Sequence, residues 1–246
     1  MQGLPPERRL RPQKHERPET RNRALKRKKM TLETDILRQA LRSYPVRIPG
    51  RETVLTGGLT LPQDAAGLIL FAGETGQNCR LSYHHAMARI FNKYKLATLL
   101  PDLQTLTKES CCDPLLHAEQ LEHMTLWARQ NPETAGLHVG YFSTGAGAGT
   151  ALAAAFRQPD VVRAVVMRGG KTDAASKLLP LVKAPVLLIA GGRDPEGLRA
   201  SQSALEKLNS SSTLNVVPSA SHSFDEPGAM EEAAQLAALW FLHHLE

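Results

Sequence analysis

The chain has 246 residues, 42% of them apolar, which is enough for one sizeable core. Its formal charge of +6 suggests a nucleic-acid partner until it is divided: residues 1–30 hold eleven Lys or Arg against three Glu, and residues 31–246 hold 19 basic against 21 acidic residues. No apolar run approaches the roughly 18 residues of a membrane span, and no hydrophobic secretory segment opens the chain.

The first segment, MQGLPPERRLRPQKHERPETRNRALKRKKM, has four prolines and few large apolar residues. It cannot bury enough surface to offset its chain entropy, so a disordered basic tail is expected over 1–30, followed by a single domain over 31–246. The KRKK run would suit a nucleic acid, an anionic membrane or a targeting receptor. The plainer expectation is a solvated extension, and Met30 would itself serve as a start. From Thr31, Leu32, Ile36, Leu37, Ala40 and Leu41 recur at helical spacing until Tyr44-Pro45, which predicts a short packing helix. VRIP (46–49) and TVLTGGLTLP (53–62) then predict two strands, the second bent at Gly57-Gly58, antiparallel at a sheet edge.

After Asp64 strands and helices alternate. GLILFA (67–72), LATLLP (96–101), GLHVGYF (136–142), RAVVM (163–167), PVLLIA (185–190) and TLNVVP (213–218) are short apolar runs that suit strands covered on both faces. Helical stretches are expected at 82–95, 114–130, 146–157, 197–209 and 228–244, with Leu121, Met124 and Trp127 facing the core. The fold class is therefore α/β: a mostly parallel sheet with helices on both faces. Ligands of such sheets lie at the carboxyl ends of the strands. There the sequence places Asp194 after PVLLIA, His222 after TLNVVP, and the turn STGAGAG after HVGYF. Nucleophile, acid and histidine in that chain order suit a hydrolytic triad, in which the imidazole takes a hydroxyl proton and the carboxylate orients it.

These pieces resemble the small bacterial α/β-hydrolases of the dienelactone-hydrolase-like group. The resemblance covers about residues 45–245, through GLTLP, GLILFA, LATLLPDLQT, PETAGLHVGYF, VVRAVVMRGG, APVLLIAGGRD and SHSFDEPGAMEE. It implies an α/β-hydrolase fold, Asp194 as the acid, His222 as the base, and a Gly-x-Ser-x-Gly elbow after GYF. In the ungapped register Ser143 stands on the first glycine, Gly145 on the serine and Gly147 on the last glycine. Sliding by two residues makes Ser143-Thr144-Gly145 the Ser-x-Gly half, with Tyr141 where a small residue belongs. The resemblance also implies His-Gly after LFA, where this chain has Gly73-Glu74. Backbone amides near Gly73 and Thr144 are the expected oxyanion donors.

Two functions follow. One is a hydrolase of a small ester, lactone or related acyl compound using Ser143, His222 and Asp194. The other is a catalytically impaired relative that keeps the pocket and binds a small molecule or a protein. No cofactor is expected, because the dinucleotide fingerprint fails at Thr150. No metal is expected either: His117 and His123 are six apart, and His84-His85, His117, His123 and His243-His244 read as solvated helix residues. Cys79, Cys111 and Cys112, an odd set without CxxC spacing, read as reduced thiols of a cytoplasmic protein.

Overall fold

The computed structural model describes residues 41–51, 54–72, 81–102, 114–145, 147–169 and 175–246. The expected tail, Gly73, Glu74 and the three cysteines lie outside the described residues.

Two antiparallel strands come first. β1 (Leu41–Pro49) pairs along its whole length with β2 (Val54–Pro62), and β2 pairs antiparallel with β4 (Leu96–Pro101). The helix expected up to Tyr44 is overturned at its end, since Leu41 to Tyr44 already belong to β1. Their pairing with β2 and the contacts of Arg42 and Tyr44 with the Glu133 carboxylate outweigh the local periodicity. The rest of the helix expected from Thr31 lies outside the described residues.

The remaining strands run parallel: β3 (Gly67–Phe71), β5 (Val139–Thr144), β6 (Val162–Arg168), β7 (Val186–Gly191) and β8 (Thr213–Val217). Among the described residues the sheet has eight strands in the order β1-β2-β4-β3-β5-β6-β7-β8. The mostly parallel sheet and its antiparallel edge are those the sequence predicts.

Why the apolar runs are continuous rather than alternating is visible in β3 and β7. Leu68, Leu70, Val186 and Leu188 enter one core, and Ile69, Phe71, Leu187 and Ile189 enter the other. The first core is closed by α2 (Pro114–Gln130) and α3 (Gly147–Arg157), with Ala204 of α4 (Pro195–Lys207). Leu121 and Met124 are buried in it and Trp127 packs against it. The second core lies under α1 (Leu81–Lys93) and α5 (Ala229–Leu245). On that side Phe71, Phe91, Phe142 and Phe241 interlock, with ring centroids 5.1 to 5.8 Å apart.

Two boundaries matter for the site. β5 begins later than expected and continues past Phe142 through Ser143 and Thr144, because these residues pair with Met167 and Arg168 of β6. Helix α4 begins at Pro195, two residues early, because Asp194 caps it and a proline at the first helical position lacks only an N–H that would be unpaired there.

Candidate functional site

Strands β5, β6, β7 and β8 end side by side, and beyond them the turn after β7 meets the turn after β8. Asp194 closes the turn after β7 and does two things at once. Its Oδ1 accepts from the Gly197 amide (3.0 Å), capping α4, and its Oδ2 lies 2.7 Å from His222 Nδ1. Burial opposes ionisation of this carboxyl, but the Gly197 amide and the hydrogen bond and charge of His222 outweigh it and hold its pKa below the usual carboxylate value. An ionised carboxylate only accepts, so the proton between the two sits on Nδ1 and leaves Nε2 with a free lone pair. The Asp194 side chain is 12% exposed and that of His222 63%, so the acid is screened while the imidazole is open to solvent.

The loop that carries His222 is seated closely. A Cβ on Gly191 would lie 2.5 Å from the Ala220 carbonyl oxygen and 2.6 Å from that of Ser221, so only glycine lets β7 approach the loop this closely. Arg193 N donates to Ala220 O (2.9 Å) and Gly192 N to Val217 O (2.8 Å). Phe224 has a positive φ of 56°, an uncommon conformation for a bulky residue, and is buried. The Arg168 guanidinium, at the end of β6, lies 4.8 Å from the Phe224 ring centroid and 4.4 Å from that of Tyr83, and donates to the His222 carbonyl (3.4 Å).

The elbow is reached through the same arginine, because Gly145 N donates to Arg168 O at 3.4 Å. Gly145 has φ +48°, the left-handed backbone a sharp strand-to-helix turn requires. Ser143, two residues earlier, is fully buried in β5, and its hydroxyl donates to the Val166 carbonyl at 3.5 Å. It follows Tyr141 by two residues and so points to the same side of the strand; the Tyr141 hydroxyl bonds Thr125 in α2, within the core. Among the described residues no hydrogen bond joins Ser143 to His222. Thr144 points to the opposite face, where its Oγ1 lies 3.1 Å from His84 Nε2.

Sequence reasoning misses His84 as a site residue. The solvated reading is corrected: the side chain is 5% exposed and packed against Phe71 at 5.5 Å between ring centroids. Burial, with Arg168 and His85 nearby, lowers its pKa to about 4, so the ring is neutral at pH 7. The solvated reading of His117 is corrected too: it is 6% exposed, with Nδ1 3.3 Å from Gln120 Oε1. Spacing offers a signal for His84, which precedes the buried Met87 and Phe91 by three and seven residues. Arg168 leaves no periodic trace.

A mostly parallel sheet with this strand order, an elbow at the end of its central strand, and an acid and a histidine bonded beyond the last two strands define the α/β-hydrolase class. Comparison with known proteins makes the assignment narrower: residues 91–245 match the model of the Dienelactone hydrolase family, and the chain belongs to that family. The crystal structure of a dienelactone hydrolase from Anabaena variabilis is 41% identical, with a TM-score of 0.79 over 84% of this chain and all of that one. A cold-adapted esterase from an Arctic intertidal metagenomic library shares the fold at 12% identity, with a TM-score of 0.67 over 85% of this chain and 96% of the esterase. Proteins of two Mycobacterium tuberculosis strains, named "Putative phosphoribosyl transferase", are 40% identical over 209 residues, 83% of this chain. The chain spans about half the length of these relatives, 47%. No described helix is long and apolar enough to cross a membrane.

Proposed function

We propose that the domain hydrolyses a small ester, lactone or related acyl compound by general-base attack of water, with His222 as the base, Asp194 as its orienting acid and Gly145 at the elbow tip in place of a nucleophilic side chain. The observation that carries this is the 2.7 Å bond between His222 and Asp194 beside a turn whose left-handed residue is a glycine.

The step balances without a covalent enzyme intermediate. His222 Nε2 removes a proton from water as the oxygen bonds to the acyl carbon. The imidazolium, stabilised by Asp194, then returns that proton to the leaving alkoxide as its bond to carbon breaks. The products are a carboxylic acid and an alcohol. Without a nucleophile the rate should lie several orders of magnitude below that of a full triad, with only about 10³–10⁴-fold over water to be expected. The transferase activity for which the mycobacterial relatives are named is not proposed for this chain. The match covers less than half of those proteins, and the acid-base pair suits hydrolysis.

Turnover of short p-nitrophenyl esters by the wild type, Ser143→Ala, His222→Ala and Gly145→Ser tests the proposal. Slow wild-type turnover that depends on His222 and not on Ser143 supports it. Loss in Ser143→Ala as well would restore Ser143 as the nucleophile. Turnover indifferent to His222 would favour the impaired relative, a protein that binds a small molecule or a partner.

A further inference from the structure

The dyad spans two loops, Asp194 after β7 and His222 after β8, and each has a neighbour in contact with one further carboxylate. Glu226 Oε2 accepts from the backbone amide of Ser221, the residue before His222, at 3.0 Å. Its Oε1 lies 3.9 Å from Arg193 Nη1, the residue before Asp194. The Arg193 side chain is 67% exposed, so this ion pair is weak in water. The amide bond is the firmer tie: it is charge-assisted, and the Glu226 side chain is only 23% exposed. With Ser221 foremost among the causes, the Glu226 carboxyl is held below the usual carboxylate range and stays an acceptor at neutral pH. The Glu226 carbonyl in turn accepts from Ala229 N (3.0 Å) at the start of α5, which is packed into the core, so the clamp is anchored to a fixed helix.

We propose that Glu226 is the positioning residue of the dyad: by gripping the Ser221 amide it sets the loop so that His222 Nδ1 faces Asp194 and Nε2 is left free as the base. This rests on the preceding assignment of His222 and Asp194. Its signature is the tautomer of the neutral imidazole, which a purely structural contact elsewhere would not move.

The test is side-chain ¹⁵N NMR of His222 above the pH at which it protonates, its signal assigned by the spectrum of His222→Ala. In the wild type Nδ1 should carry the proton. Glu226→Gln keeps an acceptor oxygen and should keep that tautomer. Glu226→Ala should cut the Nδ1–H population by half or more, toward the distribution in Asp194→Ala, and lower kcat about tenfold to a hundredfold with KM little changed. Should Glu226→Ala fail to fold, Glu226→Met, of similar length without the acceptor, carries the test. An unchanged tautomer in Glu226→Ala or Glu226→Met overturns the proposal. A wild-type His222 protonated on Nε2 instead refutes the dyad itself, and so separates failure of the proposed function from failure of this inference.

Discussion

The hydroxyl of Ser143 donates to the carbonyl of Val166 on the neighbouring strand, 3.5 Å away, and Ser143 is fully buried. The bond is long and both groups are neutral, so its loss costs little. Ser143→Ala should leave ester turnover within about threefold of wild type and lower stability by about 1 kcal/mol, read from urea unfolding. A drop in turnover of a hundredfold with stability unchanged would show that the side chain reaches the substrate after all.

Gly145 is where a nucleophile would have to stand. Its φ of +48° lies in a region that non-glycine residues enter at some cost, and one that a hydrolase elbow uses for its serine. Gly145→Ser should therefore place a hydroxyl within reach of His222. The expected result is stoichiometric labelling by a fluorophosphonate, a burst of p-nitrophenol, and a gain of about 10²-fold or more in turnover. Intact-protein mass spectrometry checks it, with the wild type remaining unlabelled.

Asp194 has a structural task, capping α4, and in the proposed reaction a chemical one, and two substitutions separate them. Asparagine still caps α4 but can no longer stabilise the imidazolium, so Asp194→Asn should cost about 1 kcal/mol or less of stability while turnover falls by orders of magnitude. Asp194→Ala should lose the cap as well, about 1 kcal/mol further in urea unfolding. Equal stability of the two variants would show that the Gly197 hydrogen bond contributes little.

His84 predicts a pH dependence of stability. Its folded pKa, about 4, lies below the ordinary value of 6.5, so between those values the unfolded chain binds the proton first. The His84 contribution is complete above about pH 6.5, declines as pH falls toward about 4, and changes no further below that, for a total on the order of 3 kcal/mol. Urea midpoints across this window should flatten in His84→Gln, whose amide can still reach Thr144. Asp194 acts lower: its depressed pKa means that its stabilising effect is present above about pH 4 and is lost as pH falls through the folded value.

Much of the fold is legible in the residues themselves. The strands after Asp64 stand out because a sheet covered on both faces needs unbroken apolar runs, and Asp194 and His222 are marked by standing directly after two of them. The choice between Ser143 and Gly145 is legible as a question only. Both registers place small polar residues in the turn, and nothing in STGAGAG by itself says whether Ser143 lies in the strand or beyond it. Leu41 to Tyr44 mislead for the opposite reason, since the helical spacing of Leu32, Ile36, Leu37, Ala40 and Leu41 carries less information about them than a complete strand pairing.

The order of the chain alone determined the α/β class, the mostly parallel sheet and the candidates for acid and base, since periodicity and position after a strand are local properties. Tertiary structure decided the rest. Pairing of Ser143 and Thr144 with Met167 and Arg168 drew β5 two residues further and turned one hydroxyl into the core and the other toward His84. Glu226 and Arg168 hold the loop of His222, the arginine through a contact between segments far apart in sequence and the glutamate through the geometry of a turn, and neither leaves a pattern for a local reading to find.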